Sequence, residues 1–463
     1  MANIDPASKN GVDNGLPPLS KPVLLSVVGV KILLHLPGLF RYGYFRDELY
    51  FLDCARHLDW GYVDCAPLVA VYAKIALLLG GSLPALRVLP MLAGAGVVAL
   101  TVLITRELGG GRFAQGLAAL GILIAPVHLM LDSILSMNAF EPLFWMGCVY
   151  LLIRIIRGGD SRLWLVFGLL AGLGLENKHS TLFFGAAVAV AIVVTPLRRE
   201  LAKPWIWIGA AVALIIFLPN ILWQWQHGFP TIEDLQNVRA TGKNIVLAPI
   251  PFTIEQVMIM HPITAPIWFA GLWSLLLGRG TRFRAIGVTY VVFFAVMMLL
   301  RAKSYYLAPI YPMLFAAGGA AIEGWTAAAA ARRRMILRTA AVAVVVVLGA
   351  VTAPLALPLL SPEHHVSYQK RLGIAPSKTE VATSVRCRSC GATSSGGPSW
   401  SRRWPESTGH CRPTSAREPA SLPATMARPA QSTFLAPSTV CRRRSAPTRP
   451  TRCGDRVTST ATP

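Results

Sequence analysis

Charge is what this sequence has least of. Only 14% of its residues are Asp, Glu, Lys or Arg, against about 25% in an ordinary soluble domain, and acids are the scarcer half, 22 against 44 basic residues. No Walker-type or dinucleotide-type glycine motif occurs; Gly109-Gly110-Gly111 follows Glu107 and reads as a tight turn. Zinc-ligand spacing is missing around His227 and His261, and the single CxxC, Cys387 to Cys390, is weak evidence for a metal. A cleavable signal peptide is missing too: residues 1–20 are polar, and the first apolar run carries Lys31 and His35 with no clean small-residue cleavage pattern after it. That run is expected to stay as a first helix. A net charge of +22 would suggest nucleic acid in a soluble chain. Here many basic residues sit in short loops between apolar runs, which is positive-inside bias, so nucleic acid is not an expected partner.

Long apolar runs are what the sequence does have. Hydrophobic residues make up 54% of it, and stretches such as Ser180 to Pro196 and Ala340 to Leu360 hold no charge at all. Runs of this length span a bilayer. The expected fold is an all-α integral membrane protein with ten or eleven transmembrane helices, placed at 22–40, 83–105, 113–131, 138–156, 163–175, 181–197, 205–223, 263–277, 286–300, 305–322 and 339–360. A shorter run from Pro67 to Leu79 reads as a re-entrant or interfacial helix.

The loop charges order these helices. Arg106 and Arg112, then Arg154, Arg157 and Arg162, then Arg198, Arg199 and Lys203, then Arg279, Arg282 and Arg284, then Arg332, Arg333, Arg334 and Arg338 alternate with loops poor in basic residues. The basic set, with Lys9 and Lys21, belongs in the cytoplasm. The expected organisation is a cytoplasmic segment 1–21, a membrane domain 22–362 with extracytoplasmic loops 41–66 and 224–262, and a tail 363–463 on the same outer side.

The first of those loops is the strongest site candidate. It begins Arg41-Tyr-Gly-Tyr-Phe-Arg-Asp-Glu-Leu-Tyr50 and holds five acids: Asp47, Glu48, Asp53, Asp59 and Asp64. A carboxylate at a membrane surface, tuned by its neighbours, can take a proton from a substrate hydroxyl. The plainer alternative is an anchor loop whose acid–base pairs only position helices. Arg301, Lys303 and Lys178 lie on the same side against the charge bias, which marks them as phosphate contacts or as snorkelling cations. Asp132 has three open roles: assisting Asp47, binding a divalent cation, or holding an acceptor. Glu141, inside a span, is costly unless paired; it either binds Lys178 or Arg46 or just locks helices together. Glu176 and His179 are weaker candidates. Cys54 and Cys65 share the loop, and a disulfide and two free thiols are both open.

The stretch Gly43-Tyr-Phe-Arg-Asp-Glu-Leu-Tyr50, then His57-Leu-Asp-Trp-Gly-Tyr-Val-Asp64 and Pro67-Leu68, resembles bacterial membrane glycosyltransferases of the dolichyl-phosphate-mannose mannosyltransferase superfamily. The pattern resembles the lipid A aminoarabinose transferases and the RgtA/B/C/D-like domain proteins. Supporting stretches lie at Leu131–Trp145, Gly174–Ser180 and Lys303–Pro312, so the likeness covers about residues 20 to 380. The resemblance implies a multi-spanning GT-C fold, a polyprenyl-phosphate-linked sugar donor, inversion at the anomeric carbon and a hexosyl- or pentosyl-type transferase. It puts Asp47 in the catalytic position with Glu48 as its partner. Arg46, Tyr44, Asp132, Glu141, Lys178, Arg301, Lys303, Tyr305 and Tyr306 become candidates for holding substrate or phosphate. It implies no cofactor firmly, and a divalent cation stays open. Expected partners are the lipid-linked donor, a glycolipid, lipopolysaccharide or protein acceptor, and bilayer lipids, in a bacterial inner membrane. A transporter or flippase of lipid-linked saccharides is the alternative, and a scaffold role comes third.

The tail departs from this pattern. From Ser384 onward the sequence holds 13 Arg, no Lys and five of the eight Cys. Its composition reads as a disordered basic extension or as a GC-rich gene translated out of frame, with the authentic continuation lost.

Overall fold

The computed structural model describes residues 15–242 and 244–374, and beyond them the backbone of residues 385–386 and 393–394. The chain is built from helices. The first part holds α1 (Lys21–His35), α2 (Arg46–Arg56), α3 (Leu68–Leu78), α4 (Leu83–Glu107), α5 (Arg112–Ile124), α6 (Pro126–Leu131) and α7 (Met137–Ile156). Next come α8 (Leu163–Asn177), α9 (Thr181–Val194), α10 (Pro204–Gln226), α11 (Pro230–Ala240) and α12 (Pro249–Ile259). The series ends with α13 (Ala265–Leu276), α14 (Arg284–Leu299), α15 (Tyr311–Ala327), α16 (Ala331–Ala356) and α17 (Pro362–Arg371).

All eleven expected spans fall on helices, but they are not equally long. Seven helices among the described residues are long and apolar enough to cross a membrane, and two bent pairs bring the number to nine. Proline explains the difference. Ala125, before Pro126, takes an extended conformation and splits the expected span 113–131 into α5 and α6. Thr195 does the same before Pro196, where the chain bends by 101°. The residue before a proline is pushed out of the helical region. The span expected at 113–131 is thus cut to the 13-residue α5 followed by α6, and the one expected at 163–175 lies within the 15-residue α8. The run after Pro67 is the 11-residue α3.

Glycines set the closest helix crossings. A Cβ on Gly168 of α8 would run into the carbonyl of Gly209 on α10, and one on Gly271 of α13 into the carbonyl of Leu314 on α15. Small residues let backbones touch where lipid gives no hydrophobic drive between helices. At the centre, Trp145 is fully buried, stacks on Phe184 at 4.5 Å and donates to Thr181 Oγ1 at 3.1 Å. The outer faces of α10 and α16 stay apolar and exposed, with Ile215 at 67% and Val347 at 60%, as lipid-facing helices require.

The tail expected to be disordered starts with a helix, α17. Ser361 caps it by accepting from His364 N at 3.4 Å, and Pro362 opens it. Val385 and Arg386 pair antiparallel with Ser394 and Thr393. The CxxC and the out-of-frame composition otherwise fall outside the described residues.

Candidate active site

The first loop enters through a strained reversal. Tyr42 and Gly43 are consecutive left-handed residues, with φ of 67° and 66°. A bulky residue there costs about 1–3 kcal/mol and persists only where its surroundings over-determine it. Tyr42 donates to Leu360 O at 2.6 Å, and Arg41 donates to Leu359 O, so the exit of α16 grips the loop's entry. α2 then starts at Arg46. Glu48, in its first turn, accepts the Phe45 N–H at 2.8 Å, the return half of a capping box.

Asp47 and Glu48 sit in opposite environments. Asp47 is 46% exposed at the side chain, and its carboxylate meets Arg46 Nε at 3.1 Å. Glu48 is fully buried. It accepts two bonds from Arg87 of α4, both at 3.1 Å, a third from Leu135 N at 3.1 Å and the fourth from Phe45 N. A carboxylate has about four lone-pair sites, so Glu48 is saturated. Tyr44 donates to Gly81 O at 3.2 Å and lines the same loop.

Asp132 and Glu141 each have a lysine. Lys31 of α1, fully buried, holds Asp132 at 2.6 Å. Gly94 of α4 leaves the room; a Cβ there would strike the Asp132 carboxylate. Of the two partners expected for Glu141, the structure supplies Lys178, at 2.8 Å. Ser180 Oγ also donates to Glu141. Lys178 donates to Asn138 Oδ1 at 2.8 Å and lies 4.3 Å from the centroid of the Tyr306 ring. Tyr305 stands edge-on to Tyr306 at 5.0 Å. Arg301 is exposed in a left-handed turn with φ of 53°, and Lys303 is half-buried two residues on. No three of His, Cys, Asp and Glu gather as metal ligands among the described residues, and the Asp132 carboxylate, open to a cation in the sequence, faces Lys31 instead.

Hydrogen bonds link these pieces across distant parts of the chain. Glu48 reaches Leu135, three residues past Asp132. Asn177, beside Lys178, donates to Met137 O at 2.9 Å. His179 Nε2 meets Asn220 Oδ1 at 3.0 Å, and Asn220 Nδ2 donates to Trp60 O at 2.8 Å. With the amide oxygen facing it, the imidazole nitrogen must be the donor. Burial holds the His179 pKa below its ordinary value. Gly61 of the first loop lies against the Trp223 ring, where a side chain has no room.

Within the loop, Tyr50 donates to Asp64 at 2.6 Å, and Tyr62 donates to Cys54 O and His57 O, both at 3.1 Å. Burial pushes the Tyr62 phenol up to about 12, so it stays a donor. Cys54 and Cys65 are buried free thiols.

Sequence reasoning missed Arg87, Lys31 and Asn220 as site residues. The signal was available for the first two: a charge inside an apolar span is functional or paired by default.

Residues 64–223 match the family described as dolichyl-phosphate-mannose-protein mannosyltransferase. The match begins past Asp47 and ends at Trp223. In space, the chain resembles ArnT from Cupriavidus metallidurans bound to undecaprenyl phosphate, with a TM-score of 0.57 at 18% identity over 76% of this chain and 68% of that one. The two share a multi-spanning GT-C architecture. The oligosaccharyltransferase of Archaeoglobus fulgidus, solved with a tethered acceptor peptide, shares the GT-C fold at a TM-score of 0.51, with 12% identity over 79% of this chain and 61% of that one. Among curated proteins, the lipid A galacturonosyltransferase RgtD of Rhizobium johnstonii (strain DSM 114642 / LMG 32736 / 3841) is 28% identical over 243 residues, 50% of this chain and 49% of RgtD. The chain therefore spans about half the length of that relative. This is a multi-pass membrane protein of GT-C architecture.

Proposed function

We propose that this chain is a glycosyltransferase of a bacterial inner membrane, moving a sugar from a polyprenyl-phosphate donor to an acceptor hydroxyl on the extracytoplasmic side, with inversion. The observation that carries this reading is the contrast between Asp47, half-exposed beside Arg46, and Glu48, buried with every acceptor site filled. One carboxylate of the pair is open to a substrate and the other is not. The similarity to ArnT, solved with undecaprenyl phosphate, and to a lipid A galacturonosyltransferase supports the donor class and a glycolipid, lipopolysaccharide or protein acceptor.

In this mechanism Asp47 takes the acceptor hydroxyl proton while the oxygen attacks the anomeric carbon from the face opposite the phosphate. The carbon–oxygen bond to phosphate breaks, and its electron pair leaves with the lipid phosphate. That leaving group needs cations more than an acid. Arg46, Arg301 and Lys303 are the residues for that role. Lys178 is neutralised by Glu141 and instead shapes the site with Tyr306, Tyr305 and Tyr44.

The test uses membranes holding the protein or Asp47→Asn at equal expression, incubated with radiolabelled polyprenyl-phosphate sugars. Transfer to a new product that falls by about 100-fold or more in the variant, the scale of lost general-base catalysis, supports the proposal. Label that crosses the bilayer on its original carrier, independently of Asp47, replaces it with a flippase.

A further inference from the structure

One guanidinium accounts for the shape of the loop that presents Asp47. Arg has five N–H groups in a rigid fork, and Arg87 spends all five. Nε and one Nη2 hydrogen go to the two oxygens of Glu48, both at 3.1 Å. Nη1 donates to Gly38 O and Arg41 O, each at 2.7 Å, and the second Nη2 hydrogen donates to Gly43 O at 2.6 Å. The three carbonyls belong to the segment that makes the left-handed reversal at Tyr42 and Gly43. Glu48 lies one residue past Asp47, and its remaining oxygen sites bind Phe45 N at the start of α2 and Leu135 N in the turn after Asp132. Both side chains are buried, Arg87 at 4% and Glu48 at 0%.

We infer that Arg87 is a positioning residue: with Glu48 it forms a saturated unit of zero net charge that fixes the entry of α2, and so aims Asp47 and holds its loop to the turn carrying Asp132. This rests on the reading of Asp47 as the base. Arg87 bonds Glu48 and the loop backbone, not Asp47, and acts on the base through them. Every hydrogen-bonding site of both partners is filled, so the unit exchanges no proton with substrate. Lysine cannot replace it, because an ammonium has three donors and no fork.

The experiment compares the full-length protein with Arg87→Lys and Glu48→Gln, measuring kcat and KM for the lipid-linked donor together with amide hydrogen exchange. A shift of about 1 Å in a positioned group costs on the order of 100-fold in rate. Arg87→Lys is expected to lower kcat about 100-fold with the donor KM within about threefold. Exchange should accelerate in residues 38–49 while the spans keep their protection. Glu48→Gln keeps the side chain's size and one acceptor oxygen, and should give the same pattern at about tenfold. Unchanged kcat in either folded variant overturns the inference, as does a rate loss with unaltered exchange at 38–49. Loss of protection through the spans in both variants also overturns it, since it marks a general stabilising role. The exchange arm does not need activity: a loosened 38–49 segment in a protein that transfers no sugar keeps the clamp and rejects the Asp47 reading.

Discussion

Lys178 stands between a carboxylate and an aromatic face, its ammonium 2.8 Å from Glu141 and 4.3 Å from the Tyr306 ring centroid. With Asn138 Oδ1 at 2.8 Å, each of its three N–H directions has a destination. Removing one member of a buried pair leaves an uncompensated charge, at a cost of about 3–5 kcal/mol. Lys178→Met is therefore expected to destabilise the detergent-solubilised protein by about that amount in chemical unfolding. Lys178→Met combined with Glu141→Gln should recover most of the loss. Equal losses in the single and double variants would show that the two charges are not coupled.

A second prediction concerns the space around Asp132. An added methyl at Gly94 meets the Asp132 carboxylate and approaches Lys31 Cε at 2.9 Å, so the buried ion pair must move. Overpacking of this kind costs about 1–3 kcal/mol. Gly94→Ala should lose that much stability and lower sugar transfer. Gly29→Ala is the control, since nothing lies within 4 Å of its added carbon. It should gain about 0.5–1 kcal/mol from helix propensity alone. Equal effects at the two positions would contradict the crowding at Gly94.

Much of this was legible beforehand, for a physical reason. Uncharged runs have one way to satisfy their backbone in lipid, the helix, so every expected span lies on one. Pro126 and Pro196 were visible too, but the apolar run hid the break each imposes. The site was legible where chemistry clusters in sequence, as at Asp47 and Glu48. Its supports were not, because they come from far along the chain: Arg87 is 39 residues from Glu48, and Lys31 lies on a different helix from Asp132. Apolar patterning counts such charges as exceptions without naming their partners. Glu141 had two candidate partners, and the turn after α8 decides between them by bringing Lys178 to it.

The two thiols of the first loop make a pH-dependent prediction. The neighbouring Cys65 thiol holds the Cys54 pKa below the ordinary thiol range, while Cys54 and burial push Cys65 far up. The thiolate is the reactive form. Alkylation of Cys54, followed by peptide mapping, should therefore rise with pH through a midpoint below that of an ordinary thiol, while Cys65 stays unreacted. Cys65→Ala removes that neighbour and should move the Cys54 midpoint up. A midpoint unmoved by Cys65→Ala would show that Cys65 does not set it.

The crossing of α8 and α10 links packing to the site. A Cβ at Gly168 faces the Gly209 carbonyl, and one at Gly209 faces the Trp164 carbonyl. The obstacle is backbone on both sides, with no flexible side chain to swing away. Gly168→Ala should therefore push the helices apart, at about 1–3 kcal/mol in unfolding measurements. α10 also carries Asn220 and Gln224, which donate to Trp60 O at 2.8 Å and Tyr62 O at 3.4 Å. Displacing α10 should then loosen residues 57–64 as well, read as faster amide exchange there. Asn220→Ala supplies the comparison, since it cuts the tie to Trp60 without moving the helix. If Gly168→Ala lowers stability while residues 57–64 keep their wild-type exchange, the loop is held from its own side, by Tyr62 and Tyr50, and α10 only covers it.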